Sequence, residues 1–435
     1  MHVPSPTGAA DPQDVEAQVS AASSASSEAI PRRSPWFIGT YGVTYFAFML
    51  VTLSPALFSL AYKMQVLDPI NKETNLGLVV GTAGAVNLLA LPLAGVLSDS
   101  SRSRFGRRRP FLLGGVIVCL GGALVIATAG SVLLVMAGWV LSTLGLACVG
   151  AGINPVVAEN VPESQRGAVG AFGGVAAQLA GVAATLLGGL FTGNVLAMML
   201  VPAIILAIAV VPFMLMIPDP VVSEATPRPR LRQVFGQMVF NPQQHKDFGL
   251  VWLGKLSMQF GLTTFSTYQL YFLLDRLGLT AEQAGQRLAL VGGLGILMAT
   301  GSAVFGGMLS DKLNRRKVFI YVAAALNIAG LWTMAVSDGF LMFCVGALLI
   351  TSGAGLFGSV DIAMAAGLVP ERDNAGRWMS IYSVAAGVPT AIAPIIAPVI
   401  LNIGGVEANY TAPFLFGGAV AVGTLLTPAA IRGAR

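Results

Sequence analysis

The sequence predicts an all-α membrane protein with twelve transmembrane helices in two six-helix halves. Three observations carry that expectation. Only 10% of the 435 residues are charged and 55% are hydrophobic, whereas about a quarter of a soluble globular chain is charged. Apolar runs of about 20 residues, enough to cross roughly 30 Å of hydrocarbon, recur from end to end. A short motif also occurs once in each half. Soluble dinucleotide-binding and barrel enzymes are excluded. The net charge of +5 comes from Lys and Arg spread over short loops, which orients a chain in a bilayer and leaves no nucleic-acid footprint.

Residues 1–33, rich in Ala, Ser and Pro and without the apolar core of a signal peptide, read as a disordered cytoplasmic tail. The first half, 34–217, is expected to cross at 36–62, 76–97, 110–129, 132–158, 168–192 and 195–217. The second half, 248–435, is expected to cross at 248–274, 286–309, 317–337, 339–366, 378–402 and 410–431. Backbone groups in lipid must pair within their own segment, and these runs are too long and too unalternating for barrel strands, so each is a helix. Pro55 in span one and Pro389, Pro394 and Pro398 in span eleven are expected kinks. In span five, Gly170, Gly174 and Gln178 form one stripe and Gly173, Ala177 and Gly181 another, suited to close packing. Cys119, Cys148 and Cys344 lie inside spans without pairing or metal spacing and read as small packing residues. The linker 218–247 holds Pro218, Pro220, Pro227 and Pro229 and the cluster Arg228, Arg230 and Arg232.

Twelve crossings return both termini to one side. Twenty of the 25 Lys and Arg fall on that side, so the termini are expected in the cytoplasm of a cell-membrane protein.

The repeated motif is Gly95-Val-Leu-Ser-Asp99 after span two and Gly307-Met-Leu-Ser-Asp311 after span eight, 212 residues apart. Arg107, Arg108 and Arg109 follow the first copy, and Arg315 and Arg316 the second. Placement at the same point of each half indicates a parallel six-plus-six duplication. The first loop resembles the Gly-x-x-x-Asp-x-x-Gly-Arg-Arg signature of the major facilitator superfamily, with Gly106 seven positions after Asp99, four more than in the common form. That expansion, ending Ser-Arg-Phe-Gly-Arg-Arg-Arg-Pro-Phe, looks like the sucrose-type proton symporters and their glycoside-pentoside-hexuronide relatives. Glu159-x6-Arg166 after span four is similar to a sugar-porter loop, and Asp361 in span ten to the membrane Asp of bacterial members of the group. The second copy has the usual spacing, with Asn314 in the glycine position. The resemblance implies the major facilitator fold, with the first and fourth helices of each half lining a cavity. Plant sucrose symporters carry an Asp in span four and an Arg in span five, where this chain has Asn154 and Gln178.

A carboxylate at a helix end beside an Arg cluster makes charge-assisted bonds, and it also accepts from an adjoining helix N-terminus. Asp99 with Arg107, and Asp311 with Arg315, are therefore expected gating latches, with Gly95, Arg108, Glu159, Arg166 and Gly307 around them. Inside the spans few groups are charged. An ionised Asp361 deep in span ten costs about 2.5–3.5 kcal/mol on insertion scales, so it either pairs with a cation or stays protonated, and a carboxyl that does each in turn carries protons. Lys255 in span seven is its expected partner; contact with substrate and snorkelling to the cytoplasmic headgroups are the alternatives.

Span seven is unusually polar: Gln259, Thr263 and Ser266 follow Lys255 on one stripe, with Thr264, Tyr268 and Tyr271 on another. Span one offers Tyr41, Tyr45 and Thr52 at helical spacing. With Asn154, Gln178 and Tyr382, these are the expected solute-binding groups. Aromatics, amides and hydroxyls with little charge suit a neutral sugar or glycoside, imported with a proton. The alternative is a proton-coupled exporter of sugars or lipophilic compounds, although span five lacks the Gly-Pro-x-x-Gly-Gly kink of antiporters. The two histidines, His2 and His245, lie outside the spans, and no nucleophile, nucleotide loop or metal constellation occurs, so neither an enzyme nor a cofactor is expected.

Overall fold

The computed structural model describes residues 31–219, 236, 238–371, 374–402 and 409–431, and the expected helical architecture is present. In the first half the helices are α1 (Pro35–Leu67), α2 (Lys72–Asp99), α3 (Arg109–Thr128), α4 (Val132–Asn160), α5 (Glu163–Leu190) and α6 (Val195–Met216). In the second they are α7 (Lys246–Tyr271), α8 (Ala281–Leu313), α9 (Arg316–Ala335), α10 (Phe340–Gly367), α11 (Ala375–Leu401) and α12 (Thr411–Ala430). Among the described residues, eleven helices are long and apolar enough to cross a membrane. The exception, α7, is long enough at 26 residues but is diluted by Lys255, Gln259 and the run Thr263 to Gln269.

Helix limits depart from the expected spans where capping chemistry takes over. Helix α8 starts five residues early because Thr280 and Gln283 form a reciprocal capping box. At Pro55–Ser59, where a kink is expected, α1 forms a π turn. The last residue of the expected tail is held, since Arg33 donates to the Asn160 carbonyl at 2.5 Å and its amide to Gln165 at 2.8 Å. Residues 1–30 of that tail, and Pro220, Pro227, Pro229, Arg228, Arg230 and Arg232 of the linker, lie outside the described residues.

Helices α1–α6 pack among themselves, as do α7–α12, and the halves are joined by two extensive crossing pairs, α2 with α11 and α5 with α8, and by a smaller contact of α1 with α7. The start of α1 and the end of α12 share one face, the terminal face. Gly77, Gly81 and Gly84 of α2 lie against Pro394, Ala391 and Thr390 of α11, so close that a Cβ on Gly84 would sit 2.6 Å from the Thr390 carbonyl oxygen. A Cβ on Gly285 of α8 would sit 2.8 Å from the backbone nitrogen of Gly189 in α5. Backbones meet this closely only through small residues, which is how helices associate where lipid removes the hydrophobic drive. The prolines of α11 add to the seam. Pro398 has no N–H to give the Pro394 carbonyl, and the Tyr268 hydroxyl takes that oxygen at 2.9 Å.

Both seams lie in the parts of these helices nearer the opposite face. Toward the terminal face, a Cβ added at Gly167, Gly170 or Gly174 of α5, or at Gly301 of α8, would meet nothing within 4 Å. The halves therefore close the opposite face and part toward the terminal one.

Gly84→Leu should force the α2–α11 seam apart. Overpacking costs typically about 1–3 kcal/mol, so labelling of an Ala391→Cys reporter from the opposite face, at fixed pH, should rise on the order of tenfold. Unchanged labelling would show that the seam tolerates the bulk.

Candidate functional site

Just beneath the closed seam lies a cavity of about 250 Å³ between the halves. Its walls come from α1, α5, α7, α8 and α10, and most of the lining is apolar: Leu53, Leu57, Val182, Phe265, Leu288 and Ile296. Four polar side chains interrupt it, Gln178 and Thr185 of α5, Gln269 of α7 and Thr351 of α10. None is ionisable. The Thr185 and Thr351 hydroxyls donate to carbonyls of their own helices, Val182 at 3.0 Å and Ala347 at 3.0 Å, and keep their lone pairs free to accept. The amides of Gln178 and Gln269 offer both donors and acceptors.

An ion pair lies closer to the terminal face. Lys255 Nζ donates to Asp361 Oδ2 at 2.8 Å, joining α7 to α10. The Asp361 side chain is 1% exposed and that of Lys255 18%, so the ammonium is the member that solvent reaches. Phe357 and Tyr382 place their rings 5.6 and 5.0 Å from the Lys255 nitrogen, within cation–π range. Asp361 is six residues from the end of α10, about 9 Å along the helix. It is deep in protein, in the terminal-face part of α10. Below the pair, Trp378 packs edge-on against Phe248 at 5.0 Å and His245 at 4.8 Å.

Other expected site residues are scattered. Tyr41 stacks on Tyr45 at 5.7 Å and packs on Phe213 of α6 at 6.1 Å, so it is part of the first-half core. Thr52 and Thr264 donate to carbonyls one turn back, Phe48 and Phe260, at 2.8 and 2.9 Å. Thr264 also faces Gly417 of α12. Tyr268 is spent on the seam. These placements overturn a cavity role for Tyr41, Thr264 and Tyr268: the hydroxyl stripes have helical spacing, but their faces pack on α6, α12 and α11. Gln259 is half-buried on the stripe of Lys255, and Asn154 is exposed where Pro155 interrupts α4. Gln269, which the sequence reading missed, continues the Lys255, Gln259 and Ser266 stripe by one step of three.

On the terminal face of the first half, Arg108 is the hub. Its guanidinium pairs with Asp99 at 2.7 Å and Glu159 at 2.6 Å, and it also donates to Ser98 and to the Ala151 carbonyl. Arg107 pairs with Glu159 at 2.7 Å. The partner of Asp99 is thus Arg108, not Arg107, because Arg108 points inward between α2 and α4, only 3% exposed. Arg166 turns to the Ala158 and Val161 carbonyls. In the second copy Asp311 approaches Arg316 at 4.0 Å rather than Arg315, and Arg316 also reaches the Ala363 carbonyl at 3.0 Å. Gly95 and Gly307 are not needed for contact, since added Cβ atoms there would meet nothing closer than 3.6 Å.

The role expected of Asp99 at a helix N-terminus belongs to Asp219. Its carboxylate accepts from the backbone amides of Arg107, Arg108 and Arg109 at 3.0, 2.8 and 3.0 Å, opening α3. Gly106 precedes them at φ +98, and in the second copy Asn314 stands at φ 51. Both repeats need a left-handed residue there, which Gly and Asn supply most readily.

A sequence model of the Major Facilitator Superfamily matches residues 37–305 and 297–432. The chain belongs to this superfamily. No curated protein gives a significant sequence match. Among solved structures, the nucleoside transporter NupG superposes with a TM-score of 0.70 at 12% identity, over 91% of this chain and 98% of its own. A peptide-bound POT family transporter gives 0.71 at 13% identity, over 89% and 94%. An inward-facing, unoccupied bacterial homologue of the human lysosomal transporter Spinster gives 0.66 at 14% identity, over 91% and 96%. At these identities the likeness establishes the fold alone. The superfamily's members are transporters rather than enzymes, and a multi-span membrane protein that moves small solutes is established to that level.

Asp219→Ala should uncap α3 in this superfamily member. Losing a helix N-cap costs about 0.5–2 kcal/mol, so the melting temperature in detergent should fall by several degrees. An unchanged melting curve would remove Asp219 from this role.

Proposed function

We propose that this transporter imports a small neutral sugar or glycoside together with a proton, by alternating access, with both termini in the cytoplasm. The observation that carries the reading is an uncharged cavity set above a buried ion pair, Lys255 with Asp361. Four neutral hydrogen-bonding side chains among apolar walls match a solute with hydroxyls on one edge and C–H surface on the other. A charged solute would be left without a counter-ion there. Nucleosides, the solute named for one structural neighbour, are themselves glycosides and belong in the same test.

The coupling follows from the pair. Protonating Asp361 cancels its charge and frees the Lys255 ammonium, so one proton changes how α7 and α10 are held together. The pair lies toward the face where the halves part, which supports proton release to the cytoplasm. The twenty Lys and Arg of the terminal side support that orientation. In the opposite conformer, the terminal ends of the helices come together, and the Asp99–Arg108–Glu159 network, already formed within the first half, keeps that half one body rather than latching the halves.

The test is uptake of labelled monosaccharides, glycosides and nucleosides into energised vesicles, with and without a protonophore. Accumulation that collapses with the proton gradient supports the reading, and efflux driven by the same gradient overturns it. Asp361→Asn should abolish accumulation while sparing exchange; accumulation at the parent level would remove Asp361 from coupling. Gln178→Ala and Gln269→Ala should each raise KM roughly tenfold, the loss of about 1–1.5 kcal/mol expected for a neutral hydrogen bond.

A further inference from the structure

The closed face carries a second cluster of ionisable groups, and it joins the two halves. Lys72 and Glu73 open α2, Asp275 lies in the π turn Phe272–Arg276 that follows α7, and Tyr410 precedes α12. Lys72 Nζ donates to Asp275 Oδ1 and to Gln65 Oε1, each at 2.7 Å. It lies 3.9 Å from Glu73 Oε1 and 5.0 Å from the Tyr271 ring. The Tyr410 hydroxyl contacts Glu73 Oε1 at 2.8 Å and also Asp275 Oδ2. The side chains of Lys72 and Glu73 are withdrawn from water, 8% and 14% exposed, and that of Asp275 is half-buried, 34% exposed.

Hydrogens and charges in this cluster do not balance if every group takes its ordinary state. A phenol has one hydrogen to give, and an ionised carboxylate only accepts. Two carboxylate oxygens nevertheless sit at hydrogen-bonding distance from the Tyr410 oxygen, so one of the two contacts lacks a hydrogen. The hydrogen bonds of Lys72 go to Gln65 and Asp275, and at 3.9 Å from Glu73 Oε1 it is beyond hydrogen-bond range of that carboxylate. Two carboxylates against one ammonium also leave an excess negative charge where desolvation makes it costly. A single added proton corrects both deficits.

Neighbouring groups are committed elsewhere. From α1, Lys63 donates to the Ala127 carbonyl at 3.1 Å, and Asp68 in the α1–α2 turn accepts from Asn71 and Asn75. On α7, Tyr268 and Tyr271 donate to the carbonyls of Pro394 and Ala61, and Arg276 pairs with Asp338 at 2.8 Å. From α11 the Pro394 carbonyl and the Pro398 ring reach this region, and neither titrates. Burial first, and then the two carboxylates, push the Tyr410 phenol well above its usual range, so its own proton stays in place.

We propose that the closed seam of Lys72, Glu73, Asp275 and Tyr410 binds one proton, shared by the two carboxyls and the phenol, and releases it when the halves part on this face. The site is separate from Lys255–Asp361 and does not depend on which solute is carried. The proton belongs to the coupled group rather than to either carboxyl alone. Because the closed conformer holds it and the open one does not, closure is favoured as pH falls and lost as pH rises. Exchange of one proton changes the closed-to-open ratio by about tenfold per pH unit.

The test uses the full-length protein in vesicles, with Cys119, Cys148 and Cys344 replaced by serine and with Asp361→Asn in place to silence the other site. Spin labels at Ile70→Cys and Val336→Cys, exposed positions (89% and 55%) on the two halves, report the separation across the closed face by pulsed electron resonance as pH is varied. The parent should shift from the short to the long distance with rising pH. Glu73→Gln, whose amide always offers Tyr410 a hydrogen, should stay closed and lose the step. Tyr410→Phe, which removes the shared atom, should lose the step and populate the long distance throughout. A parent with no pH dependence overturns the proposal, and so does a step retained in both variants. If Glu73→Gln does not fold, Tyr410→Phe decides alone. Since Asp361 is already neutral, a negative result here leaves the proposed coupling role of Asp361 standing.

Discussion

The two halves hold together where backbone meets backbone, at Gly77, Gly81 and Gly84 against α11 and at Gly189 against Gly285, and the rest of the structure depends on that close approach. In hydrocarbon there is no hydrophobic gain from burying apolar side chains, so association rests on van der Waals contact and on polar groups left without an internal partner. Proline supplies such groups. Pro398 leaves the Pro394 carbonyl free and Tyr268 of the same half fills it, while the same hydroxyl lies 3.4 Å from the Glu73 carbonyl of α2 across the seam. A seam of this kind rests mainly on backbone contact, with a few large side chains such as Ile395 and Leu88 laid against it, so it separates with little unpacking of either half. The 250 Å³ cavity lies directly behind it and is sealed or opened by it.

Each half, by contrast, is stiffened within itself at the terminal face. Arg108 ties the ends of α2 and α4 to the start of α3, and Asp219 binds the chain leaving α6 to the same point. Arg316 ties α8 to the end of α10 in the duplicate position. A buried charge held by several partners, as the Arg108 guanidinium is, resists rearrangement because losing one partner leaves it stranded. Two stiff bodies joined by a separable seam are what rocking around a central cavity requires.

The fold was legible because its signals are long and redundant. Twelve apolar runs and a repeated loop cannot be read as much else, and even the weak signal of α7 was informative, since its dilution by polar residues marks a helix facing an aqueous cavity. Asp361 and Lys255 were legible for the opposite reason, as isolated charges in apolar surroundings. Hydroxyl stripes were not decisive. Tyr41, Thr264 and Tyr268 have the right spacing, but periodicity says which residues share a face and not what that face meets, and a threonine satisfies its own helix before a ligand. Contacts between distant segments left no trace: Lys72 and Asp275 are 203 residues apart, and nothing local to either names the other. Asp219 was hidden similarly, because the amides it caps belong to a loop read only for its arginines.

A neutral solute exerts almost no electrostatic force on the protein that carries it, so in the proposed cycle the driving charge changes fall on protein side chains. The fold places ionisable groups on both sides of the cavity: Lys255 with Asp361 toward the open face, and Lys72, Glu73, Asp275 and Tyr410 at the closed one. The first joins two helices of one half, and its protonation changes the shape of that half. The second joins the halves themselves, and its protonation changes whether they meet. A transporter with only the internal pair would have to transmit every proton event through helix packing to the distant seam. Charge placed in the seam acts on closure directly, over the 2.7 Å between Lys72 and Asp275.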